Sequence, residues 1–153
     1  MPPTFTTFLA QKIQEISGII CYEPKDGEKV EAGKIYLAPG DFHMLIEKRG
    51  EDVVVRLTKD APENFCRPAV DPMLRSIAAV YDKNVLVVIM TGMGQDGASG
   101  GKIIADKGGV IIAQDEKSSV VWGMPGAAAT SGICNKIVPL DKIATSILEY
   151  HKV

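Results

Sequence analysis

Residues 90 to 100, Met90-Thr91-Gly92-Met93-Gly94-Gln95-Asp96-Gly97-Ala98-Ser99-Gly100, follow an apolar run and concentrate the residue types that do chemistry. Three chemistries compete for them. Gly92-x-Gly94-x-x-Gly97 fits a dinucleotide fingerprint, with Asp115 near the end of the next apolar run as the acid that would bind a ribose. Gly97-Ala98-Ser99-Gly100-Gly101 fits the G-x-S-x-G pattern of a hydrolase nucleophile. In the third reading the glycines shape a loop that holds one carboxylate, Asp96. Pyrophosphate in the first reading would sit on a helix N-terminus beside Asp96. Two like charges ~4 Å apart repel by several kcal/mol at a surface dielectric of ~20, which counts against it. Ser99 comes nine residues after Met90, already inside the following helix, whereas an elbow serine sits at the strand's end. The two histidines, His43 and His151, have no obvious route to it. An ionised Asp96 could instead orient a histidine supplied from elsewhere, as the acid of a Ser-His-Asp set does. The backbone N–H groups of Met93 and its neighbours could stabilise an oxyanion. The plainer reading of Asp96 is a helix cap.

The elements that must position this loop read as follows. Thr4 is expected to cap a helix in which Phe5, Phe8, Leu9, Ile13 and Ile16 recur near helical spacing, with Gly18 as its stop. Ile19 to Tyr22 and Lys34 to Ala38 read as short strands. His43 to Lys48 and Val53 to Thr58 flank Arg49-Gly50-Glu51-Asp52 and read as a hairpin. A polar loop from Asp60 to Pro68 leads to a helix over about Asp71 to Tyr81. The pattern then changes. Val85 to Met90 is continuously apolar, as a parallel strand buried on both faces should be. A helix over about Gly97 to Lys107, a strand Val110 to Ala113, a short helix near Gly126 to Thr130 and a strand Lys136 to Leu140 follow, and Asp141 is expected to cap a last helix. This alternation predicts an α/β fold, a doubly wound, mostly parallel sheet with helices on both faces and an antiparallel hairpin at one edge. Open sheets of this kind place their sites at the carboxyl ends of the strands, where residues 90 to 100 fall.

The chain's 153 residues suffice for one domain with a sizeable core. Seventeen basic and 19 acidic residues give a net charge of −2, with no basic block, so nucleic acid is not an expected partner. No apolar run reaches the ~18 residues of a membrane span, and the N-terminus does not read as a signal peptide, so a cytoplasmic location is expected. Cys21, Cys66 and Cys134 are odd in number and far apart, which predicts reduced thiols and no zinc motif. No metal or cofactor is expected.

Four segments carry a more specific signal: Thr91 to Ala98, Ile35-Tyr36-Leu37-Ala38-Pro39-Gly40-Asp41-Phe42-His43-Met44, Arg67-Pro68-Ala69-Val70-Asp71, and Val121-Trp122-Gly123-Met124-Pro125. On these residues, in this order, the chain resembles the catalytic domain of the bacterial chemotaxis protein-glutamate methylesterases, the CheB type. The likeness runs from residue 1 to about 150. It implies hydrolysis of glutamyl methyl esters on methyl-accepting chemotaxis receptors, with release of methanol, and in many members deamidation of receptor glutamines. It puts the family's catalytic aspartate on Asp96 and its oxyanion-hole N–H on Met93. The family's serine lies on a Gly-Ala-Ser-Thr-Gly-Gly turn after its first strand, and its histidine precedes a Met-Pro pair. Met1-Pro2-Pro3-Thr4-Phe5 matches the stretch just after that histidine. The expectation is therefore a single methylesterase domain over residues 1–153, incomplete at its N-terminus and without the receiver domain that members often carry. Such a chain is expected to be inactive or very weak alone, and to self-associate or swap segments to cover its exposed strand edge. Two alternatives stand beside it, a receptor-binding module without catalysis and a dinucleotide-binding domain. Arg67 is a candidate contact for an acidic receptor surface, and Trp122 is expected to pack.

Overall fold

The computed structural model describes residues 2–150. They divide into two compact units, one ending at Val80 and one beginning at Tyr81.

The first unit opens with helix α1 (Pro3–Ser17). Thr4 is not its cap. The N-cap is Pro2, with extended backbone, and Pro3 starts the helix, because a proline there has no N–H to leave unsatisfied and a fixed φ that suits the first turn. Thr6 and Thr7 turn their hydroxyls back onto the Pro3 carbonyl at 2.9 and 3.1 Å. Gly18 closes the helix, donating to the Gln14 carbonyl at 2.9 Å. The side of α1 that is buried carries Thr6 and Ala10, while Phe5, Phe8, Leu9 and Ile16 are exposed. The periodicity located the helix but not the face it buries.

Strands β1 (Cys21–Tyr22) and β2 (Ile35–Tyr36) pair in parallel. Strands β3 (His43–Arg49) and β4 (Asp52–Thr58) form the expected hairpin, in register from His43 opposite Thr58 to Arg49 opposite Asp52, and make a two-stranded sheet of their own. Helix α2 (Val70–Tyr81) follows, with Leu74 and Ala78 buried and Asp71 buried in its first turn.

The second unit is built on three parallel strands, β5 (Leu86–Ile89), β6 (Val110–Gln114) and β7 (Lys136–Val138), side by side in chain order. β6 is central. Ile111, Ile112 and Ala113 are completely buried there, and each isoleucine contributes roughly 1.5–3 kcal/mol by leaving water. Helices α3 (Ala98–Asp106), α4 (Met124–Thr130) and α5 (Ile143–Tyr150) all pack on β6. Asp141 is not a side-chain cap. It lies inside a 3-10 turn, Leu140–Lys142, that follows extended Pro139 and runs directly into α5. A carboxylate at that end still favours the helix dipole. The chain is thus an α/β protein of parallel sheets flanked by helices, with one antiparallel pair, β3–β4. No helix among the described residues is long and apolar enough to cross a membrane.

Candidate active site

Beyond Ile89 the β5 backbone leaves the sheet, and its next polar groups find other partners. The Thr91 N–H donates to the Gln114 side-chain oxygen at 2.8 Å, so an amide side chain continues the ladder by one rung. The Thr91 hydroxyl donates to the Val121 carbonyl at 3.0 Å and accepts from the Val121 N–H at 2.9 Å. The Gly92 N–H donates to the same Val121 carbonyl at 3.1 Å, and the Gly92 carbonyl accepts from Gly123 at 3.1 Å and Met124 at 2.8 Å. Residues 91–92 are thereby stitched to residues 121–124, which lead into α4.

The turn then tightens. Gly94 has φ +87° and Gly97 has φ +92°, in the left-handed region that side chains avoid. Gly97 is the N-cap of α3, and Asp96 stands immediately before it. Asp96 is 8% exposed, and a carboxylate there is favoured by the positive end of the α3 dipole. Among the described residues the N–H groups of Met93, Gly94 and Gln95 donate no hydrogen bond, while the Met93 side chain is 86% exposed. One short loop therefore holds a buried carboxylate next to backbone donors that are free to meet a developing negative charge.

Gln114 had no place among the candidates read from sequence. It is 1% exposed at the carboxyl end of β6. Its Nε2 donates to the Ser118 carbonyl at 2.8 Å and the Ser118 hydroxyl at 3.2 Å. The only signal in the sequence is an amide ending an otherwise apolar strand. Ser118 is also tied to Asp115, its hydroxyl donating at 2.6 Å and its N–H at 3.0 Å to one carboxylate oxygen. These bonds hold the Asp115 carboxyl below the usual carboxylate range. An acid already committed to its own turn is a poor ribose ligand, which removes the main support of the dinucleotide reading.

The other candidates have structural employment. His43 is 2% exposed. Its Nε2 lies 3.0 Å from the Ala61 carbonyl, and its Nδ1 accepts from the Ala69 N–H at 3.2 Å. Those partners require a neutral ring with its proton on Nε2, leaving neither nitrogen for base catalysis. Ser99 lies in the first turn of α3 and not at the strand's end. His151 lies outside the described residues. Arg67 ties its loop to the turn before β3, reaching Asp41 at 2.6 Å and the carbonyls of Lys59 and Asp60 at 3.1 and 3.0 Å. The Trp122 ring packs on Gly126, where an added Cβ would come within 2.9 Å of it. All three cysteines are free thiols, and burial pushes those of Cys21 and Cys134 up. Among the described residues no group of three or more His, Cys, Asp or Glu stands close enough to hold a metal.

A parallel α/β unit with a glycine-shaped carboxylate loop at the carboxyl end of its first strand defines the class: an α/β protein with its candidate site at the strand ends. The chain belongs to the CheB methylesterase family, whose model matches residues 1–147. It is 60% identical over 149 residues to protein-glutamate methylesterase/protein-glutamine glutaminase 1 of Paramagnetospirillum magneticum, covering 97% of this chain and 39% of that protein. It is 56% identical over 148 residues to the protein of the same name from Rhodospirillum rubrum, covering 97% of this chain and 38% of that protein. The chain therefore spans about two-fifths of the length of the curated relatives it matches. The crystal structure of the Thermotoga maritima CheB methylesterase catalytic domain superposes with a TM-score of 0.94 at 38% identity, over 98% of this chain and 79% of that one.

Proposed function

We propose that this chain supplies the acid and the oxyanion-binding loop of a protein-glutamate methylesterase, acting on glutamyl methyl esters of chemotaxis receptors and, by the same chemistry, on receptor glutamines. The observation that carries the reading is the loop at residues 91–97, where Asp96 is buried and, among the described residues, the Met93 N–H meets no acceptor. In the catalytically complete enzyme, this chain acts with the serine and histidine that the family resemblance implies. The serine oxygen attacks the ester carbonyl as the histidine takes its proton. The carbonyl oxygen becomes an oxyanion and accepts from the Met93 N–H. Asp96 orients the imidazole and stabilises the imidazolium. The intermediate collapses, the histidine returns the proton and methanol leaves. Water then repeats the sequence to free the glutamate. From glutamine the same steps release ammonia.

His43 is held by the Ala61 and Ala69 backbone and Ser99 sits within a helix, so neither serves as the base or the nucleophile of this loop. Without a serine and a histidine to complete the set, the chain by itself would be inactive or very weak. The experiment is methanol release from methylated receptor. The complete enzyme should turn over, and Asp96→Asn should lower its kcat by about 10⁴-fold with the fold intact. Turnover unchanged by Asp96→Asn would reduce Asp96 to a helix cap. Receptor binding by the complete enzyme without turnover would instead favour a binding module.

A further inference from the structure

We propose that Gln114 is a positioning residue that sets the oxyanion loop, an inference that rests on the reading of residues 91–97 as part of an esterase site. Gln114 is completely buried, and each end of its amide is committed to a different loop. The oxygen holds the Thr91 N–H at 2.8 Å, two residues before Met93. The Nε2 holds the Ser118 carbonyl at 2.8 Å, in the loop that returns to Thr91 through Val121. Its own backbone carbonyl lies 3.4 Å from the Trp122 Nε1, on that same loop. The far side of the network is anchored as well. The Ser118 hydroxyl donates to Asp115 at 2.6 Å and accepts from the Leu140 N–H at 2.9 Å.

The chemistry requires an amide. One atom must accept from an N–H and the other must donate to a carbonyl. A methionine of similar length has no donor and only a weak sulfur acceptor, and so leaves the Ser118 carbonyl without that partner and the Thr91 N–H poorly satisfied. A glutamate carboxylate can accept from Thr91 but turns its second oxygen toward the Ser118 carbonyl, and the two repel. A protonated glutamate restores the whole pattern, its C=O accepting and its O–H donating. Gln114 itself has no need to touch substrate. It acts through where it puts Met93, whose N–H matters most when the carbonyl oxygen takes on charge. Its loss should therefore appear in kcat and leave KM almost unchanged.

The test measures kcat and KM for methanol release in the catalytically complete enzyme carrying Gln114→Met or Gln114→Glu, with Asp96→Asn alongside. Gln114→Met should lower kcat by about 10–100-fold, the scale of a sub-ångström misplacement or partial loss of an oxyanion donor, with KM within about threefold. For Gln114→Glu, the ratio of its kcat to that of the parent should climb as pH falls and the buried carboxyl gains its proton. Hydrogen exchange should quicken at the Thr91 amide and stay slow at Ile111 in the core. A folded Gln114→Met enzyme with parental kcat overturns the inference, as does a kcat ratio for Gln114→Glu that is flat with pH. If Gln114→Met does not fold, the Gln114→Glu series decides alone. Should Asp96→Asn turn over at the parental rate, the reading of the loop fails and takes this inference with it. A slow Asp96→Asn beside parental Gln114 variants sinks the inference and spares the reading.

Discussion

Gly123→Ala is the sharpest probe of how the carboxylate loop is held. A Cβ on residue 123 would lie 2.7 Å from the Gly92 carbonyl oxygen, 2.8 Å from the Gly94 nitrogen and 2.9 Å from the Gly94 oxygen. All three are backbone atoms, so no side chain can swing aside. The first contact is about 0.7 Å inside the ~3.4 Å at which ordinary contact begins. Met93 lies between the two glycines that must retreat, so its N–H moves with them. The Gly123 and Met124 bonds to the Gly92 carbonyl stretch at the same time. Overpacking of this kind costs about 1–3 kcal/mol of stability. With Met93 as the proposed oxyanion donor, displacing its N–H by most of an ångström should cost about 10–100-fold in kcat. The assay is methanol release by the complete enzyme, with thermal unfolding in parallel to separate loss of fold from loss of geometry. A folded Gly123→Ala enzyme with kcat within about twofold of the parent would refute the claim that the 121–124 segment fixes the position of Met93.

Two predictions concern the frame around the site. Ile111→Ala removes a completely buried side chain from the central strand and should lower stability by about 2–5 kcal/mol. Urea unfolding followed through Trp122, the single tryptophan, reads this directly, and a loss below about 1 kcal/mol would contradict the packing described. In the first unit the Tyr22 hydroxyl donates to the Glu28 carboxylate, which pushes the phenol up to about 12, with burial and Tyr36 adding to the effect. The folded state therefore favours protonated Tyr22. Its contribution is complete below the ~10 of an unfolded tyrosine and disappears as pH rises toward 12. In an ultraviolet titration Tyr22 should ionise above ~10, and Glu28→Gln should lower that value. A Tyr22 phenol ionising near the ~10 of an unfolded tyrosine would exclude the bond.

The sequence disclosed what depends on local pattern. The apolar runs at Val85 to Met90 and Val110 to Ala113 mark the parallel strands, but only β6 is covered on both faces; in β5 Val87 and Ile89 are buried while Leu86 is exposed, as is Met90 just beyond it, so an unbroken apolar run overstates its burial. Asp96 and Met93 were legible as a loop because the glycines around them bend the chain just past a strand. Helix starts were misread at Thr4 and Asp141, where a polar residue suggested a cap while the nearby prolines already fixed the entry of the backbone. The site's supports were illegible for another reason. Thr91 and Val121 are thirty residues apart in the chain, and Gln114 reaches twenty-three residues back to Thr91. No periodicity encodes such pairings, and an amide at a strand end has the same composition whether it faces water or closes a network. The exposed apolar stripe of α1 shows the same limit, since spacing predicts a face but not what covers it.

The bonds joining residues 91–92 to 121–124 also have a kinetic meaning. A solitary glycine-rich loop flickers in nanoseconds to microseconds. Here Thr91 and Gly92 cannot move independently of residues 121–124 without breaking bonds to Val121, Gly123 and Met124 together. The two loops must therefore open as one body. Such collective motions belong to the microsecond-to-millisecond range, and a donor such as the Met93 N–H keeps a fixed direction between those rarer events.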